Sequence, residues 1–194
     1  MKLARIVKSN SHVEYVAQVD RPGEVDVAPE PGDYAFGTFV AVPRSAGDSA
    51  IGVVFDATLV NPEFGALGPR LTTSTELQTL APDQLPETAT LIGVLLLGSR
   101  SAAGEVTQGV VAHALSVGDA VHRLDDAEFE AFHSADNGLR AAYLPLLLAH
   151  GHPLTSELAL AITQRLVEAF PAHAGAVAVL RDSIAWRTRI EAAG

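Results

Sequence analysis

The sequence predicts an α+β protein in which an antiparallel β-barrel over residues 1–124 is followed by a small helical segment over residues 125–194. In the first part, short apolar runs with strand-like alternation lie between clusters of Gly, Pro, Asn and Asp that are typical of turns. No long amphipathic helix separates these runs, which favours an antiparallel barrel over a parallel sheet. From Asp125 onward the apolar period changes from two to about four, as expected for helices.

The clearest strand signal lies between Gly32 and Phe55. A Gly-Asp turn precedes an alternating aromatic and β-branched run, and the polar residues 44–49 form the loop that leads to the next strand. The same Gly-Asp pattern recurs in a shorter form at Gly118. The predicted strands are Leu3 to Val7, Glu14 to Val19, Thr38 to Val42, Ile51 to Leu59, Leu91 to Gly98, Val106 to Ala112 and Ala120 to Arg123.

The longest irregular region runs from Asn61 to Glu87 and contains four prolines. This composition predicts a wandering surface loop, and long loops in compact domains often contact partners. Phe64 is an aromatic residue within this loop and is therefore a candidate partner contact. The aromatic residues before the loop occupy alternating positions and are expected to belong to the barrel core: Tyr34, Phe36, Phe39 and Phe55.

The helical segment begins with a capping helix over 125–133. Asp125 followed three residues later by Glu128 is a capping-box pattern, and Phe129 with Phe132 gives the helix one apolar face. Two or three further helices are expected between here and residue 192. One is broken by a proline at 145 and ends near residues 151–153, a second opens at Thr155 or Ser156, and a third follows Pro171.

Composition limits the class of protein. The chain of 194 residues is 48% hydrophobic and carries a net charge of −10, so a phosphate backbone is not expected as its main partner. It contains no cysteine, which excludes disulfides, thiolate zinc sites and cysteine nucleophiles. The N-terminus lacks an apolar signal core and the longest apolar run is too short for a membrane span, which predicts a cytoplasmic protein.

The motifs of common catalytic sites are missing from the sequence. There is no GxxxxGK[ST] phosphate loop, no HExxH metal motif and no GxSxG nucleophile elbow. We therefore assign no catalytic, cofactor-binding or metal-binding residue and expect no cofactor. Two alternatives stay open at this stage. One is a nucleic-acid-binding barrel of OB-like character, and the other is a hydrolase or metal enzyme built around His12, His113 or the acidic helix at 125–130.

The strand pair from Gly32 to Val54, the strand after Gly118-Asp119 and the acidic helix that follows it resemble the HAS-barrel over about residues 3–133. This barrel stands at the N-terminus of HerA-type DNA-translocating ATPases and is similar to the N-terminal barrel of ATP synthase ring subunits. The resemblance implies a module that caps a hexameric ATPase ring and docks a nuclease in DNA end processing. The ATPase domain is missing here, and no catalytic residue can be transferred from the family.

The resemblance predicts a non-catalytic assembly or adaptor module that docks to or regulates a HerA-like ATPase or its associated nuclease. Self-association is also open, because the helices must pack either on their own barrel or on another chain. The candidate partner contacts are one loop aromatic, one loop arginine and three residues of the helical segment: Phe64, Arg70, Tyr143, Trp186 and Arg187.

Overall fold

The computed structural model describes residues 1–44, 47–61, 88–135 and 138–191, with side chains up to Trp186. The strands in the first part of this range are β1 Lys2–Ser9, β2 Glu14–Val19, β3 Phe39–Pro43, β4 Ser49–Val60, β5 Ala89–Arg100, β6 Val106–Gln108 and β7 Ala120–Arg123. The remaining elements are α1 Asp126–His133, the short strands β8 Ser134–Ala135 and β9 Gly138–Leu139, α2 Leu144–Leu148, α3 Thr155–Ala169, a 3-10 turn Pro171–His173 and α4 Ala174–Glu191.

Six strands close into an antiparallel barrel, which confirms the predicted fold class. Their order is β2-β1-β7-β3-β4-β5, and the pairing of β2 with β5 closes the ring. β6 extends β5 at one end, where Val106 pairs with Arg100. The barrel interior is filled by apolar side chains, among them Leu3, Ile6 and Val94. Because the interior of a small barrel of this kind is filled by side chains, any partner or ligand has to bind on the outer surface.

Three strands of the barrel are buried on both faces. Val40 of β3 points into the barrel interior, whereas its immediate neighbours Phe39 and Ala41 pack outward against the helices. Phe55 of β4 also belongs to this second, outer core. The helical segment therefore packs on its own barrel, and the alternation along β3 to β5 sends one set of side chains to each core.

Of the four aromatic residues predicted as barrel core, one packs against the barrel interior and three lie elsewhere. Tyr34 is partly buried against the barrel core. Phe39 and Phe55 are buried, but in the core between barrel and helices rather than inside the barrel. Phe36 is 42% exposed, because residues 31–37 form turns before β3 begins. β6 is also shorter than predicted, since it ends at Gln108 and Gly109 has a positive φ of 120°.

The predicted capping box at the start of α1 is confirmed. The Glu128 N–H donates to Asp125 Oδ1 at 2.8 Å, and the Asp125 N–H donates to Glu128 Oε2 at 3.2 Å. Glu128 also forms an ion pair with Arg100 of β5 at 2.9 Å. The acidic helix start is thus explained by capping and by attachment to the barrel. Phe129 and Phe132 are both buried, as their shared face predicts.

We expect Asp125→Ala to lower the free energy of unfolding by about 1 kcal/mol, because the substitution leaves the Glu128 N–H without its cap. Urea denaturation followed by circular dichroism measures the change. Glu130→Ala is the matched control, since that side chain is exposed on the same helix, and it should change stability by less than about 0.5 kcal/mol. Equal effects of the two substitutions would contradict the capping role.

Candidate protein-binding surfaces

The structure describes the side chains of two of the five predicted partner contacts. Phe64 and Arg70 lie outside the described residues, and at Arg187 only the backbone is described. Tyr143 has no exposed surface, so its side chain is not available to a partner, contrary to the prediction. Trp186 is 66% exposed near the end of α4 and is accessible to a partner.

Tyr143 is buried because it completes a pair with His133. The Tyr143 hydroxyl donates to His133 Nε2 at 2.8 Å, and His133 Nδ1–H donates to the Phe129 carbonyl at 2.8 Å. Both polar groups are thereby satisfied in an otherwise apolar site, whose other members include Phe39 and Phe132. The pair joins α1 to the residue preceding α2 and is a structural element of the outer core.

Burial decides the protonation state of this pair. The pKa of His133 is lowered to about 4, chiefly by removal from water and also by the nearby Arg165 guanidinium, while the hydrogen bond to the Phe129 carbonyl opposes the shift. Burial also raises the pKa of Tyr143 above the usual range of a tyrosine. At neutral pH both side chains are therefore uncharged. Arg165 lies with its guanidinium carbon 4.0 Å from the centre of the Phe129 ring and covers the site from outside.

One face of α4 presents two large apolar side chains to solvent. Ala176, Val179, Ser183 and Trp186 follow one another at intervals of three, four and three residues, which places them on one side of a helix. All four are exposed, Val179 to 68% and Trp186 to 66%. We call this set the outer face of α4. The opposite side of the helix supplies Val177 and Ile184 to the core.

A second surface feature is a groove between the turns before β3, strand β4 and the start of α3. It has a volume of about 360 Å³ and is lined by Tyr34, Phe36, Val54, Asp56, Ala57, Leu154 and Glu157. Phe36 and Leu154 are 42% and 41% exposed and form much of its apolar wall. We call this the β4–α3 groove. The sequence analysis did not identify it, because its walls come from three separate segments of the chain.

Two histidines lie in the loop that leads to Leu154 of the β4–α3 groove. His150 and His152 lie in the loop between α2 and α3, with their ring centres 5.2 Å and 5.0 Å from the Phe55 ring. His152 Nε2 is 3.9 Å from Asp56 Oδ2, and its Nδ1 accepts from the Leu154 N–H at 3.2 Å. This loop therefore positions Leu154 at the groove.

The residues named for the enzymatic alternative are spread over several elements. His12 Nε2 is 2.6 Å from the Val111 carbonyl oxygen, and His113 is exposed in the segment between β6 and β7. At the start of α1, Asp125 and Glu128 form the capping box, and Glu128 also forms the ion pair with Arg100. Within the described ranges, no three His, Asp or Glu side chains are arranged to hold a metal ion.

The basic residues near the N-terminus face a carboxylate. Lys2 Nζ is 2.7 Å and Arg5 Nε is 3.3 Å from the carboxylate oxygens of Asp20, which is 4% exposed. These two cations are thus compensated within the fold. The arrangement offers no support for a nucleic-acid site in this part of the barrel, where the OB-like alternative would need free positive charge.

These features define a β-barrel protein with a packed interior, attached helices and apolar surface features on the helical side. The chain belongs to the family described as domain of unknown function DUF8166, whose match extends over residues 1–193. The match spans the barrel and the helical segment together. No curated protein matches the chain.

In the part of the chain that the structure describes, no helix has both the length and the apolar composition needed to span a bilayer.

Proposed function

We propose that the protein is a non-catalytic adaptor that binds a protein partner through the outer face of α4. The observation that carries this proposal is the solvent exposure of Trp186 and Val179 on one side of a helix whose other side is anchored in the core. Large exposed aromatic residues are favoured at protein interfaces, because they bury much apolar area on binding. Because the barrel interior is filled by side chains, a partner has to bind at an outer surface such as this one.

The partner that we propose is a HerA-like ATPase or its associated nuclease, as the resemblance to the HAS-barrel implies. The closed six-stranded barrel supports the proposal, because the HAS-barrel is also a small β-barrel. The resemblance extends over about residues 3–133, so α3 and α4 lie outside it. The docking surface that we propose on α4 therefore lies in the part of the chain that the resemblance does not cover.

We expect the full chain to form a complex with a HerA-like ATPase or its nuclease from the same genome. In that complex Trp186→Ala should weaken binding about thirtyfold, because truncation of an interface aromatic residue costs about 2 kcal/mol at a binding hot spot. Purified components, analysed by size-exclusion chromatography with light scattering and by isothermal titration calorimetry, provide the measurement.

Two valine substitutions, one on the proposed surface and one away from it, provide a test and its matched control. Val179→Asp lies on the outer face of α4 and should abolish the complex, whereas Val117→Asp places the same charge at a valine that is 77% exposed in another part of the chain and should leave binding intact. Thermal unfolding of each variant checks the fold. A chain that stays monomeric and binds neither partner would refute the proposal, as would equal effects of the two valine substitutions.

A further inference from the structure

The β4–α3 groove is a second surface that the proposed docking face on α4 does not use. Its floor and walls are largely apolar, with the Phe36 and Leu154 side chains both partly exposed on it. A volume of about 360 Å³ is enough for one or two side chains of a bound segment. Apolar side chains that are held open to water in a concave surface favour binding of an apolar group.

Hydrogen bonds hold the walls of the groove in place. The Gly37 N–H donates to the Val54 carbonyl at 2.8 Å, and the Val54 N–H donates to the Thr38 carbonyl at 2.9 Å. Gly37 has a φ of 85°, which a side-chain-bearing residue rarely adopts, so the turn that presents Phe36 depends on this glycine. Because the turn that carries Phe36 is held to β4 in the free protein, binding requires little ordering of this wall.

Both charged side chains of the groove are acidic. Asp56 stands on β4 and Glu157 in the first turn of α3, and both carboxylates line the groove. Within the described residues, no lysine or arginine forms an ion pair with either of them, and Asp56 has only His152 at 3.9 Å. Glu157 is also favourable at the N-terminal end of a helix. Asp56 Oδ1 accepts a hydrogen bond from the Ala57 N–H at 2.9 Å.

We infer that the β4–α3 groove binds a segment of a partner protein in which an apolar side chain stands beside an arginine or lysine. The apolar side chain enters between Phe36 and Leu154, and the cation lies against Asp56 and Glu157. This charge complementarity is consistent with the net charge of −10, which favours basic over acidic partners in general. The inference rests on the proposed adaptor function but concerns a surface separate from α4.

The test uses the full chain and two fluorescein-labelled peptides. In one peptide leucine alternates with arginine, and in the other glutamine replaces every arginine. Fluorescence anisotropy is expected to show binding of the arginine peptide about tenfold tighter than of the glutamine peptide, with the difference reduced by added salt. Amide chemical-shift changes should centre on Phe36, Asp56 and Leu154. Absence of binding, or equal binding of both peptides, would overturn the inference.

Two double variants that remove the same charge separate the groove from the general acidity of the chain. Asp56→Asn with Glu157→Gln should weaken binding of the arginine peptide about tenfold. Glu130→Gln with Asp182→Asn, at exposed positions on α1 and α4, should change it less than about twofold. Equal weakening by both double variants would show unspecific attraction and would overturn the inference.

Two further variants distinguish this site from the docking face on α4 and from self-association. Trp186→Ala should leave peptide binding unchanged, so failure of the α4 proposal and failure of the groove proposal give different results. Phe36→Ala should abolish peptide binding while the melting temperature stays close to that of the parent chain. If the chain instead forms a dimer that Phe36→Ala dissociates, the occupant is a second copy and the inference is wrong.

Discussion

Acidification from about pH 7 to about pH 4 is expected to lower the free energy of unfolding by about 3 kcal/mol through His133 alone. Burial lowers the pKa of His133 to about 4 in the folded protein, against an ordinary value of 6.5. Between these two values the unfolded chain binds a proton that the folded chain excludes, so stability rises with pH. The shift of about 2.5 pKa units corresponds to about 3 kcal/mol.

The direction follows from the two states. Above about pH 6.5 the histidine is neutral in both, and its burial as a neutral acceptor for Tyr143 brings no pH dependence. As the pH falls, protonation of the unfolded chain favours unfolding, and the loss is complete once the folded state also titrates near pH 4. Urea titrations at a series of pH values between 4 and 8 measure this slope.

A double variant isolates the contribution of the pair. His133→Phe with Tyr143→Phe removes both hydrogen-bonding groups, so neither is left buried without a partner. It should retain the fold while losing the part of the pH dependence that His133 contributes. His122 also has a lowered pKa, caused first by burial and then by the N-terminal ammonium group, and its effect persists in both proteins. If the double variant and the parent chain have the same slope, His133 does not carry the effect.

The fold class could be predicted because its signals are local. The capping box needs only Asp125 and Glu128 at a spacing of three, and both of its hydrogen bonds are present. Strand alternation along β3 and the breakers between strands likewise depend on neighbouring residues. The starts of α3 at Thr155 and of the 3-10 turn at Pro171 agree with the predicted helix boundaries.

Which side chains meet a partner could not be predicted in the same way. Tyr143 is an aromatic residue near a helix start, and only the placement of His133, ten residues earlier, shows that it is buried. The β4–α3 groove joins Phe36, Asp56 and Leu154, whose proximity depends on how the helices dock on β4. Two signals were available in the sequence. Phe36 precedes a glycine in a turn, and Leu154 follows a proline, so both are apolar residues at positions that usually face solvent.

Besides the shared outer core, hydrogen bonds attach the helical segment to the barrel. Gln108 of β6 connects them, because its Nε2 donates to the carbonyls of Phe132 at 2.9 Å and Arg140 at 3.1 Å. Its Oε1 accepts from the Ala142 N–H at 2.7 Å. A single side chain thus satisfies three backbone groups of the helical segment, and its position depends on the pairing of β6 with β5.

That pairing depends on Gly98 of β5, and Gly98→Val is expected to lower the free energy of unfolding by about 3 kcal/mol. A Cβ atom at this position would collide with the Thr107 carbonyl oxygen and lie 3.0 Å from Gln108 Cα and 3.1 Å from a ring carbon of Phe132. The first two neighbours are backbone, so β6 has to move, and the three hydrogen bonds of Gln108 move with it. The substitution therefore disturbs the barrel edge and the attachment of the helices together.

Urea denaturation of Gly98→Val, Gly98→Ala and the parent chain measures the effect, with near-ultraviolet circular dichroism reporting the packing of Tyr143 and its neighbours. Gly32→Ala is the matched control, because a Cβ atom there meets no other atom within 4 Å and its backbone φ is not positive. It should change stability by less than about 0.5 kcal/mol or raise it slightly. Gly98→Ala should lie between the two. If Gly98→Ala is as harmless as Gly32→Ala, then β6 yields without cost, and Gln108 cannot be what couples the helices to the barrel.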